Sequence, residues 1–390
     1  DSFSGMRVHV VGDTIVDSYT HAAMIGGQTK TPTMSVLYER RDDYIGGAAI
    51  VAEHLRAAGA KVTFSTVLGE DSFKQFVLDG MAKSDIECNA IIDPTRPTTN
   101  KNAIVTGGYS GIGIEAVRAL VNAGASVTVP ARRPDKAREE LAGVNVEVAE
   151  LDLADLGSVA KFAASYVATG KPLHILINNA AIMANPETRV GPQNWESQFA
   201  TNHLGHFALV MGLAPALKAA RGARVVSVAS TGHKLSPVVF EDIHFRSRPY
   251  HKWTAYGQAK TANSLFAVEL DRRGQAHGVR AFAVHPGGIM TPLQRYLPKE
   301  EMIAAGWMDA DGNVNERFKT TEQGAATETW CATSPQLAGK GGLYCEDCDV
   351  AQLTQPGTSR TSGVDPHAVD ADAARRLWDV SVEASGLNAF

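Results

Sequence analysis

The chain has 390 residues, 44% apolar and 20% charged, a globular composition of two or three domains that excludes disorder. Thirty-seven basic against 42 acidic residues leave a net charge of −5 and no basic stripe, so no nucleic-acid partner is expected. No apolar run reaches the roughly 20 residues of a membrane span, and four cysteines are too few for a disulfide scaffold; a cytoplasmic protein without a membrane span is expected.

Along the chain, strands are expected at Arg7–Val11 and Val62–Leu68, before a break at Asp93–Asn100. That break holds two prolines and no apolar period, and reads as a linker. Beyond it, Asn102–Thr106, Ser126–Val129, Val144–Ala149, His174–Ile177, Arg224–Val228 and Arg280–His285 read as strands separated by helical patterns. One helix is expected over Gly113–Val121, with Ile114, Val117, Leu120 and Val121 on one face and Gly124 as its left-handed stop. A final short helix is expected at Ala371–Ala384, after a stretch rich in Gly, Pro, Ser and Thr. Near-continuous apolar strands alternating with helices imply an α/β fold, a doubly wound parallel Rossmann sheet with helices on both faces. The boundaries drawn are 1–98, 99–353 and a C-terminal extension, 354–390.

The strongest local signal is the glycine-rich run Thr106–Gly113, which follows a strand and opens a helix. Gly107 suits the tight turn, Gly111 the close approach of backbone to a pyrophosphate, and Gly113 the packing of helix on strand. The helix N-terminus would offer free N–H groups to the anion. At the end of the next strand, Ala131 supplies no carboxylate for a ribose 2′-OH, while Arg132 and Arg133 supply two guanidinium forks. NADP is therefore expected over NAD, which remains open.

Tyr256 and Lys260 are four residues apart, on one face of a helix. An adjacent ammonium is expected to lower the phenol pKa from about 10 and make the pair an acid/base unit. Ser230, just past a strand, could polarise a substrate carbonyl. Asn202 could anchor a water relay.

These residues, with Asn178-Asn179-Ala180-Ala181 and His285-Pro286-Gly287-Gly288, stand in the order of the short-chain dehydrogenases/reductases, which residues 101–350 resemble. The insertion Phe240–Trp253 and the run Gly342–Cys348 make the chain most similar to the branch of the retinol dehydrogenases and WW-domain oxidoreductases. The resemblance implies that Tyr256 is the general acid or base and that Lys260 binds the nicotinamide ribose. It implies that Ser230 orients substrate and Asn202 supports the proton relay. It places Gly107, Tyr109, Ser110, Gly111, Ile112, Gly113, Arg132, Arg133, Asp152, Leu153, Asn179, Ala180, Ala181, Pro286, Gly287, Ile289 and Thr291 around the cofactor. Asn178 would support the central strand, and Ala181 replaces the family's usual glycine. Leu293–Trp307 falls where the family builds a substrate lid, and implies a bulky apolar ligand. Helices Trp195–Ala214 and Ala255–Arg272 carry apolar faces too extensive for one core and resemble those that pair subunits, so a homo-oligomer is expected.

Residues 5–98 resemble instead the start of a ribokinase-like fold, nearest the heptose kinases, through Arg7–Asp17, Gly46-Gly47-Ala48-Ala49 and Val67–Asp71. Ile50 stands where that family has a sugar-binding asparagine, and no Gly-Ala-Gly-Asp anion hole occurs in the chain. The segment reads as a truncated kinase sheet fused to an oxidoreductase, with Ser18–Glu39 as a lid-like β excursion. Cys345 and Cys348 lack a second ligand pair for zinc, since neither Cys88 nor Cys331 is expected nearby; no metal site is expected. His233 is read as a loop histidine. The expected function is NADP-dependent hydride transfer to or from a carbonyl/alcohol carbon of a small molecule; a catalytically idle NADP-binding or assembly protein, or a sugar kinase, are the alternatives.

Overall fold

The computed structural model describes residues 3–26, 35–70, 72–93, 101–355, 359 and 361–390. The chain forms two compact units, Asp1–Asn100 and Lys101–Phe390.

In the first unit, β1 (Arg7–Val11) is followed by β2 (Thr14–Gly26) and β3 (Ser35–Gly47), an antiparallel pair. The excursion expected over Ser18–Glu39 lies in this pair, with residues 27–34 outside the described ones. Then come α1 (Ala48–Ala57), β4 (Lys61–Gly69), α2 (Ser72–Lys83) and β5 (Glu87–Asp93). The parallel sheet has three strands, ordered β1-β4-β5. Alternation along β4 sends Val62, Phe64 and Leu68 against Ala49 and Ala52 of α1 and Val77 and Met81 of α2. Val11 and Ile91 are 72% and 69% exposed.

The second unit opens with β6 (Asn102–Val105), α3 (Ile112–Asn122), β7 (Ser126–Ala131), α4 (Pro134–Glu140), β8 (Val146–Glu150), α5 (Leu156–Ala168) and β9 (Ile175–Asn178). A small antiparallel pair, β10 (Arg189–Val190) and β11 (Trp195–Glu196), precedes α6 (Ser197–Phe199). A π-turn over Ala200–Leu204 leads into α7 (Gly205–Ala219). There follow β12 (Ala223–Val228), α8 (Lys252–Gly274), β13 (Val279–His285), α9 (Lys299–Ala304), α10 (Thr321–Thr333), β14 (Leu343–Glu346), β15 (Asp349–Val350) and α11 (Ala371–Ser385). Helix α3 stops as expected, with Gly124 at φ +86° after Ala123.

The eight-stranded sheet is ordered β15-β14-β13-β12-β9-β6-β7-β8 and is parallel except for β15. Strand order reverses between β6 and β9, the point where open α/β sheets bind ligands at their carboxyl ends. Alternate side chains feed two cores. Ile104, Leu176 and Val225 face α5, α7 and α8, whereas Val105, Ile177 and Val226 face α3 and α10. The apolar surplus on α7 and α8, expected to pair subunits, meets α11 of the same chain. Trp378 lies against Phe207 (ring centres 5.1 Å apart) and Phe266 (6.1 Å), and Leu377 joins Leu265 and Ala262.

Candidate active site

At the switch point, Thr106 follows β6 and its Oγ1 accepts the backbone N–H groups of Asn179 (2.9 Å) and Ala180 (3.0 Å), fastening the tips of β6 and β9 together. Gly107 then turns at φ +65°; a Cβ there would stand 3.0 Å from Ala180 Cα. Gly111, at φ +59°, is the N-cap of α3 and supplies no side-chain cap, so the first N–H groups of that helix remain free for an anion. A Cβ on Gly113 would meet the Gly107 carbonyl at 2.6 Å, the close packing expected of it.

A cavity of about 1190 Å³ extends along the strand tips. Tyr109, Ser110 and Ile112 line it beside Arg132 and Arg133, which follow β7. Asp152 and Leu153 join them, Asp152 Oδ1 accepting the Ala154 N–H at 2.9 Å. Asn179, Ala180 and Ala181 line the middle; Pro286, Gly287, Ile289 and Thr291 line the wall towards α10. Such a glycine cradle, uncapped helix and pair of free-ended arginines fit a dinucleotide carrying phosphate.

Ser230, Tyr256 and Lys260 line the cavity together. Ser230 Oγ accepts the Gly232 N–H at 3.0 Å. Tyr256 is 5% exposed, and a Cβ on Gly232 would come 2.7 Å from its ring, so glycine is required there. Lys260, 2% exposed, donates to the Val228 carbonyl at 2.7 Å, with its Nζ 5.7 Å from the Tyr256 ring centre.

The electrostatics correct the expectation of an acidified phenol. Burial pushes the Tyr256 pKa up to about 12, opposed only in part by the Ser230 hydroxyl. Burial also pulls Lys260 down to about 7, so the lysine gives up its proton far more readily than a free ammonium would. For both groups burial is the largest cause.

Asn202 and Gly113 stand behind the cavity wall. Asn202 lies in the π-turn, where its amide accepts the Ile182 N–H and donates to the Ile182 carbonyl, both at 2.9 Å. Its own carbonyl accepts from His206 Nδ1 at 2.9 Å, and His206 Nε2 meets Thr106 Oγ1 at 2.9 Å. Asn178 is buried, and neither amide atom has a partner. His233 points inward, its Nδ1 2.7 Å from the Ser230 carbonyl and its Nε2 accepting the Asp365 N–H at 3.0 Å.

Several cavity residues escaped the sequence reading. Met183, Phe318 and Lys319 belong to no motif, and Trp253 entered only as the end of the insertion, with no role assigned to it. The cysteines need a correction too. Cys331 of α10 and Cys345 of β14 are both buried in the same core, because α10 packs on the face of the sheet that Cys345 joins. Among the described residues, no group of three His, Cys, Asp or Glu side chains is placed to hold a metal ion. Nor is any helix of theirs long and apolar enough to cross a membrane.

Comparison with known proteins bears on residues 101 onward. The family described as short chain dehydrogenase matches residues 101–302. A "Probable oxidoreductase" of Streptomyces antibioticus is 48% identical over 295 residues, covering 73% of this chain and 98% of its own. "Retinol dehydrogenase 12" of Mus musculus is 35% identical over 294 residues, covering 74% and 87%. The crystal structure of a putative uncharacterized protein from Mycobacterium paratuberculosis superposes with a TM-score of 0.57 at 33% identity, over 74% of this chain and 95% of that one. Relatives aligned along most of their length, on a sheet whose switch point carries a glycine cradle, make this chain a member of the short chain dehydrogenase family and an oxidoreductase.

Proposed function

We propose that the chain is an NADP(H)-dependent oxidoreductase acting at a carbonyl/alcohol carbon of a bulky, apolar small molecule. One observation carries the reading: Ser230, Tyr256 and Lys260 meet in one cavity that also holds Arg132 and Arg133. Arg132 and Arg133, with no carboxylate at the tip of β7, support a 2′-phosphate over a free 2′-OH. The resemblance to a protein named retinol dehydrogenase supports a large apolar substrate, as do Met183, Trp253, Leu293 and Trp307 in the cavity wall.

When bound, the nicotinamide supplies or accepts the hydride. The chain's own residues hold the carbonyl and manage the proton. Ser230 and Tyr256 converge on the substrate oxygen, and the buried phenol, protonated at neutral pH, donates its proton as the oxygen gains charge. In its charged form Lys260, with Nζ 5.7 Å from the Tyr256 ring centre, then stabilises the phenolate left behind. Lys260 and Asn263 both donate to the Val228 carbonyl, which fixes the lysine's reach.

Steady-state oxidation of NADPH and NADH with a panel of aldehydes and ketones tests the reading. NADPH should be preferred, and Tyr256→Phe should lower kcat by roughly 10²–10⁴-fold. Equal turnover by wild type and variant would leave the idle NADP-binding alternative standing. For the first unit we propose no catalysis. Its likeness to a truncated sugar-kinase sheet comes without the anion-hole motif, and phosphorylation of sugars by ATP should be absent.

A further inference from the structure

Aromatic rings set edge to face wall the half of the cavity beyond Tyr256. Trp253 meets Tyr256 with ring centres 6.2 Å apart at 83°, and meets Trp307 at 5.9 Å and 81°. Trp307 continues to Phe318 at 6.0 Å. Trp253, Trp307 and Phe318 all line the cavity. The Trp253 ring, next to Tyr256, is held from outside. The Trp253 indole N–H donates to Glu301 Oε1 at 2.8 Å, while Lys252 Nζ donates to Glu301 Oε2 at 2.5 Å. Those two donors keep the Glu301 carboxyl below the usual carboxylate range. Glu301 sits on α9, so one carboxylate joins that short helix to the first turn of α8, three residues ahead of Tyr256.

We propose that Glu301 sets the preference of this site for carbonyl compounds carrying a flat aromatic ring. It is a positioning residue, since it acts through Trp253, and the proposal rests on the hydride-transfer reading above. A planar ring sliding in beside the Trp253–Trp307 row gains the offset or edge-on contacts that aromatic pairs favour, on the order of tenfold in affinity. That gain requires the indole to keep its orientation. Without Glu301, nothing in the described hydrogen bonding holds the Trp253 N–H. A short aliphatic carbonyl at Ser230 and Tyr256 would not extend to the row and gains nothing from it.

The test compares wild type, Glu301→Ala and Glu301→Gln with two probes, 2-acetylnaphthalene and propanal. Binding of the ketone is read by tryptophan quenching, turnover of both by NADPH oxidation. In Glu301→Ala, ketone affinity and the ketone-to-propanal ratio of kcat/KM should each fall about tenfold. Glu301→Gln keeps an acceptor for the indole and should restore most of both. Equal loss for the two substrates would mark a merely structural role and overturn the proposal. So would unaltered ketone binding in Glu301→Ala, or no saturable ketone binding by wild type. If the ketone binds and Glu301→Ala weakens it while no carbonyl is turned over, the aromatic site stands and the hydride-transfer reading falls.

Discussion

Lys260 is buried and donates to the Val228 carbonyl, with no carboxylate paired to it among the described residues. Its folded pKa, about 7, lies below the 10.5 of an exposed lysine. Between those values the unfolded chain binds a proton that the folded one has released, so stability rises with pH there. The full desolvation penalty is present below pH 7. Lys260→Met should remove that rise and, because Asn263 still donates to Val228, raise the melting temperature at pH 7 by roughly 3 °C. Thermal scans from pH 6 to 10 measure it, and activity should be lost in the same variant. Tyr256 carries the complementary consequence. Alcohol oxidation needs the phenolate, and with the phenol at about 12 its rate should climb steadily with pH up to at least 9. A pH-rate profile of the oxidation checks this, and a plateau by pH 7 would contradict it. That Gly107, Ser230, Tyr256 and Lys260 gather in one cavity was legible because each follows a strand or shares a helical face. Their ionisation was not, since spacing says which groups are neighbours and nothing about how much water they lose.

The helix pattern over Trp195–Ala214 reads as one continuous element, yet the backbone forms β11, α6, a π-turn and α7 in succession. A π-turn adds one residue to a helical turn without interrupting the apolar run, so periodicity passes over it. It places the Asn202 amide on Ile182 of the cavity wall, while His206, one turn on, caps the carbonyl released by the widened ladder. Strand β14 went unread for a different reason: four residues just after two glycines hold too little pattern to stand out. Helix α10 hides a liability of its own. Glu328 is fully buried with neither carboxyl oxygen partnered, and burial raises its pKa to about 8. The folded state then holds a proton that the unfolded chain loses above about 4.5, so stability falls as pH rises from 4.5 to 8. Glu328→Gln should flatten that fall, gaining on the order of 3 kcal/mol at pH 8 relative to wild type. Urea titrations at pH 5 and pH 8 decide it.

The two units differ in how completely they bury their sheets. In the second, helices cover both faces, with one core on each. In the first, three strands gather a single small core, and Val11 and Ile91 remain in solvent. A sheet of that size is marginal without further cover. Limited proteolysis should therefore consume residues 1–100 while a fragment beginning near Lys101 survives. Equal resistance of both parts, seen by mass spectrometry of the digest, would refute the picture. Part of the apolar surface of α7 and α8, from which a homo-oligomer is expected, is met by α11 of the same chain. That arrangement also sets an order of events during synthesis. Phe207 and Phe266 leave the ribosome long before Trp378, the ring that closes over them, has been made. The nascent chain thus carries an open greasy cleft through its late elongation, and a chaperone able to shield it in that interval would decide the yield of native protein.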